Sequence, residues 1–152
     1  MHLDEKRALL DASLLRAAEQ MGDITGPVFE LYYSRFPHAR QRFDELSDGN
    51  RGQLEGQMVE QVLYCLMTLL DCPGEIEFTL RDSVPHHSNE LKVAPHWYTG
   101  LIDAVFDVLG SSIPPDDAGG LAVWNELRTQ MRAYTAQGVS FALADAIKRE
   151  AR

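Results

Sequence analysis

Apolar residues recur along this chain at steps of three and four, the spacing that lays one face of an α-helix on a core. The first stripe, Leu9, Leu10, Leu14, Leu15 and Ala18, predicts a helix from about Asp4, a suitable N-cap, to Met21, with Gly22 as its stop. A second helix starts near Asp23 and carries Ile24, Val28, Phe29, Leu31, Tyr32 and Tyr33 before the break at Pro37. Ser47 to Asn50 is a polar turn rich in N-cap residues. Beyond it Leu54, Met58, Val62, Cys65, Leu66, Leu69 and Leu70 mark a long helix with one buried face, ended by Asp71 to Gly74. Residues 75–91 read as a shorter, less regular helical region interrupted by Pro85. Pro95 stands where a first-turn proline belongs, ahead of Tyr98, Leu101, Ile102, Val105, Phe106 and Leu109. After a loop from Gly110 to Pro115, a final helix spans roughly Asp116 to Ala146, with Leu121, Trp124, Leu127, Met131, Tyr134 and Phe141 facing inward. Alternating β-branched runs are missing. The pattern predicts an all-α fold of six to eight helices of unequal length, packed irregularly rather than as an up-down bundle.

Length and charge narrow the partners. The 152 residues suit a single domain, with 45% hydrophobic residues for its core. Fourteen basic against 23 acidic side chains leave a formal charge of −9, which argues against a nucleic-acid partner because phosphate binding needs a basic face. No apolar run approaches the ~20 residues of a membrane span. The first residues, Met1 to Lys6, lack the apolar core of a secretory signal, which predicts a cytoplasmic protein. Cys65 and Cys72 share a helix face but stand about 10.5 Å apart in rise. That exceeds the roughly 7 Å a disulfide allows unless the helix ends between them, and both read as reduced, buried thiols.

Nucleotide-binding loops, the nucleophile elbow and the zinc-protease motif are all absent. Five histidines remain: His2, His38, His86, His87 and His96. His2 and His38, at the terminus and after a turn proline, read as solvated. His86 and His87 are helical neighbours pointing about 100° apart, so one can serve as a single axial ligand while the other faces outward.

The spacing around His87 carries more. Val93 follows it at six residues, Pro95 at eight and Tyr98 at eleven, while Pro37 precedes Phe43 by six near the end of the second helix. Together these positions resemble the globin family. There the proximal haem-ligating histidine is followed at these distances by an aliphatic residue, a helix-opening proline and an aromatic. Pro37 and Phe43 match the proline that opens the short third helix and the phenylalanine that stacks on the haem. The Val-x-Pro-x-Trp-Tyr form of residues 93–98 is similar to that of microbial single-domain and sensor globins, and the likeness spans about residues 20–138.

The resemblance implies a globin-like fold around one haem, with His87 as the iron ligand and Val93, Tyr98 and Leu101 on the proximal side. Phe43 would press on the porphyrin, and Ser83, four residues before His87, would bond its other ring nitrogen and fix the tautomer. His86 remains the alternative ligand, with Asp82 as its partner one turn back. On the distal side the family register places Phe29, Leu54 and Met58, with no distal histidine. Gln53 replaces Leu54 if the long helix turns by one residue, and Tyr33 replaces Phe29 if the second helix has a gap. Packing between helices is the simpler role for Tyr32 and Tyr33.

A wall of Phe29, Leu54 and Met58 offers a bound gas no hydrogen-bond donor, which implies quick oxygen release. The implied function is reversible binding of a diatomic gas, oxygen with NO or CO as alternatives, by a carrier or store rather than an enzyme. A gas sensor acting through a partner, or a nitric-oxide dioxygenase served by a separate reductase, are the alternatives. Trp97 and Trp124 suggest a homodimer through the last two helices.

Overall fold

In the computed structural model, which describes residues 1–151, seven α-helices account for almost all of the chain: α1 Leu3–Met21, α2 Thr25–Arg35, α3 Pro37–Leu46, α4 Arg51–Thr68, α5 Pro73–Asn89, α6 Pro95–Gly110 and α7 Ala118–Glu150. Local chemistry sets the boundaries. Pro37, Pro73 and Pro95 each open a helix, where the missing N–H costs nothing. The Asp117 carboxylate caps α7 by accepting from the Gly120 amide at 2.9 Å. Gly22, at φ 62°, ends α1 in a backbone conformation that side chains disfavour. Among the described residues no helix is long and apolar enough to cross a membrane.

The core gathers between α6 and α7 and the helices around them. Phe106 and Trp124 pack with ring centres 4.9 Å apart, and the indole N–H donates to the Phe106 carbonyl at 3.2 Å. Leu127 and Met131 continue that line and are fully buried. Helix α5 lies along the second half of α7, and α2 packs on α6. At the α5–α7 contact Gly138 lets the backbones close: a Cβ there would sit 2.9 Å from the Leu80 carbonyl oxygen.

Several expectations are corrected. The irregular region at 75–91 is one continuous helix that starts at Pro73 and runs through Pro85. Proline removes one helical hydrogen bond, but Ile76, Leu80 and Val84 recur every fourth residue and bury against neighbouring helices, which carries the helix through. On α1, Leu15 and Ala18 are exposed while Ser13 and Ala17 are buried, so the inward face is rotated from the predicted one. Helix α7 continues to Glu150, and Phe141 faces solvent. Cys72 is exposed, whereas Cys65 is buried, and both thiols are free. Trp124 is a core residue, not a free surface for a partner.

Candidate functional site

The α4–α5–α6 side of the core holds a cavity of about 230 Å³. On α5, Ser83 and His87 stand one turn apart on the face next to the buried Ile76–Leu80–Val84 line, and both reach the cavity wall. The short connection to α6 brings Leu91 and Val93, and the first turns of α6 bring Trp97, Tyr98 and Leu101. Opposite, α4 contributes Leu54 and Met58. Tyr32 from α2 and Phe43 from α3 close the remaining side.

The connection is itself fixed. The Arg42 guanidinium on α3 donates from Nε and Nη2 to the Leu91 carbonyl at 2.9 and 2.6 Å. Lys92 then turns through φ 59°, and the Val93 amide reaches back to the His87 carbonyl at 2.9 Å. His87 and the proline-started helix therefore form one constrained unit.

His87 is the cavity's titratable centre. Its Nδ1 lies 2.8 Å from the Ser83 carbonyl oxygen and 3.2 Å from the Ser83 hydroxyl. A carbonyl can only accept, so the ring proton sits on Nδ1 and the Nε2 lone pair is free. Burial pushes the imidazole pKa below its ordinary value; the Ser83 carbonyl pulls it back up and neighbouring His86 adds to the fall. The ring is thus neutral at pH 7, the form a metal needs. Tyr98 stacks edge-on against it with centres 5.2 Å apart, and burial raises the phenol to about 12. His86 is exposed, with its ring at 88° to that of His87.

Seven of the eight residues expected around the cofactor line this one cavity: His87, Phe43, Val93, Tyr98, Leu101, Leu54 and Met58. Phe29 does not. It is buried behind the wall in an aromatic cluster, 5.8 Å from Tyr32 and 6.4 Å from Phe43 between ring centres, and Tyr32 occupies the lining in its place. Gln53 is exposed and accepts from Asn50, away from the cavity. Sequence reasoning missed Leu46, Gln61, Val62, Leu91 and Ile102 as lining residues, and placed Trp97 on a partner surface rather than here.

Comparison with known proteins adds no family. No family model, curated protein or solved structure matches this chain.

The donor set limits what the cavity can hold. Among the described residues no three His, Cys, Asp or Glu side chains come together to grip a bare metal ion. One neutral imidazole on an apolar wall suits a metal that brings its own equatorial ligands, which is the chemistry of haem. The cavity volume falls below the ~300–1,000 Å³ of typical small-molecule sites. A porphyrin therefore enters only if the walls part; Leu54, Met58, Leu91 and Trp97 are half-buried members of that wall.

Because the Ser83 backbone carbonyl is the shorter partner, Ser83→Ala is expected to leave His87 oriented and, if haem binds here, to change its affinity by less than about threefold. A titration showing a loss of tenfold or more would assign the ring's orientation to the hydroxyl instead, within the ~10–100-fold that such supporting bonds control.

Proposed function

We propose that this chain is a globin-like haem protein that reversibly binds a diatomic gas, with His87 as the proximal ligand. The observation that carries the reading is a neutral imidazole on an apolar cavity, with Nδ1 committed to the Ser83 carbonyl and the Nε2 lone pair free. Haem, if bound, would be held by the His87 imidazole and would supply an iron able to take up a diatomic gas. Val93, Tyr98 and Leu101 would wall the His87 side, and Leu54 and Met58, from the facing helix, would exclude water opposite. Phe43 offers an aromatic surface to the ring's edge.

Two tyrosine hydroxyls near the pocket are already engaged. Tyr32 donates to the Trp97 carbonyl at 2.8 Å, and Tyr33 donates to Glu55 at 2.7 Å. Burial and the Glu55 carboxylate both drive the Tyr33 phenol pKa upward, so it keeps its proton and its bond. With these two donors committed, the α4 wall is apolar at Leu54, Met58 and Val62 and carries one side-chain amide, Gln61, so gas release is expected to be fast unless that amide reaches the gas.

Haemin titration of the purified chain tests the reading: a saturable Soret band at one haem per chain is expected, followed by reversible oxygen or CO binding after reduction. Absence of haem uptake overturns it. Tyr33→Phe should change the oxygen dissociation rate by less than about twofold; a large acceleration would place the Tyr33 hydroxyl at the gas.

A further inference from the structure

Helices α5 and α7 also form a groove on the molecular surface, lined by Phe78, Arg81, Asp82, Phe141 and Lys148 among others. Phe78 and Phe141 leave 61% and 54% of their surface exposed, which is unusual for phenylalanine. Arg81 lies between them, its guanidinium carbon 5.9 Å from the centre of each ring. Exposed aromatics joined by an arginine are the composition of an interface centre rather than of a solvated face.

Charge singles out the same groove. Basic residues are scarce here, 14 against 23 acidic ones, and most of those described are paired with a carboxylate. Arg40, Arg81, Lys92 and Lys148 are the described exceptions, and two of these four fall in this groove. Asp82, also in the groove, is exposed and has no ionic partner either. The patch therefore presents an apolar centre with unpaired charges of both signs. An acidic partner would be repelled by Asp82 and a basic one by Arg81 and Lys148. A second copy of the same patch, related by a two-fold axis, matches both signs at once.

We infer that two copies of this chain pair through the α5–α7 groove, the Phe78 and Phe141 rings of one copy packing on those of the other while Arg81 and Lys148 of each face Asp82 of the other. The contact is independent of any haem, and it uses α5 and the second half of α7 rather than the last two helices around Trp97 and Trp124.

Sedimentation equilibrium of the full chain at 1–100 µM, without haem, tests it. A species of twice the 17.1 kDa chain mass is expected. Phe78→Glu, at an exposed position that leaves folding intact by circular dichroism, should weaken pairing at least tenfold, and Phe141→Ala should weaken it too. Asp82→Lys should also weaken it, with part of the loss recovered by adding Lys148→Glu. A chain that stays monomeric across this range overturns the proposal. So does a dimer indifferent to Phe78→Glu and Phe141→Ala, or an Asp82→Lys loss that Lys148→Glu does not relieve.

Discussion

His87→Ala should abolish the Soret band that haemin gives with the unaltered chain, while His86→Ala should keep it. Of the two imidazoles, His87 is the one with a free lone pair beside the apolar cavity. His87 lines the cavity and its Nδ1 is held at 2.8 Å by a backbone carbonyl; His86 is exposed on the adjacent face. Supporting bonds to a metal-ligating histidine are worth ~10–100-fold in affinity, so loss of the ligand itself should exceed about a hundredfold. His87→Gly with added imidazole should recover the band, because the vacated space admits the free base. The pH dependence has a fixed sign. The folded pKa of His87 is depressed by burial, so the unfolded chain takes up the proton first. This contribution to stability is present above the ordinary histidine pKa of ~6.5 and is lost as pH falls below it. Haem uptake should weaken as pH falls through the lowered pKa of the folded chain, since a protonated Nε2 has no lone pair to offer a metal. Haem retained by His87→Ala and lost by His86→Ala would reverse the assignment.

The helices and most of the cavity were legible because both rest on short sequence distances. Ser83 and His87 are one helical turn apart, and Val93, Pro95 and Tyr98 follow across a connection too short to wander. The geometry of that unit is nearly dictated by the chain. Phe29 falls outside the cavity because the family register that places it crosses a helix and a break, which fixes no rotation. The rotation is set by tertiary contacts, among them the Tyr32 hydroxyl on the Trp97 carbonyl.

The other misreadings share a cause. Where helices approach closely, the buried positions are small or weakly polar: Ser13 and Ala17 on α1, and Thr135, Gly138 and Ala142 on α7. A stripe sought among large apolar residues passes over these and selects Leu15 and Phe141, which face solvent. The size of the inward residue depends on the interhelical distance, and only the packed structure sets that distance.

Gly138→Val follows from that closeness and should be the most destabilising single addition of atoms at the α5–α7 contact. A Cβ at this position would lie 2.8 Å from Val84 Cγ2, 2.9 Å from Val84 Cβ and 2.9 Å from the Leu80 carbonyl oxygen. A side chain can rotate away, but the Leu80 carbonyl belongs to the α5 backbone and moves only if the helix does. Overpacking of this kind costs ~1–3 kcal/mol, and a β-branched residue against backbone belongs at the upper end. For a chain of this length ~3 kcal/mol lowers the melting temperature by roughly 6–12 °C. The displaced segment of α5 is the turn that carries Ser83 and leads to His87, so haem affinity should fall together with stability. Gly56→Ala is the matched control. Nothing stands within 4 Å of its added Cβ, and the position is inside α4, so the exchange should stabilise by ~0.5–1 kcal/mol. An unchanged melting temperature for Gly138→Val would mean that α5 and α7 do not close on each other at this glycine.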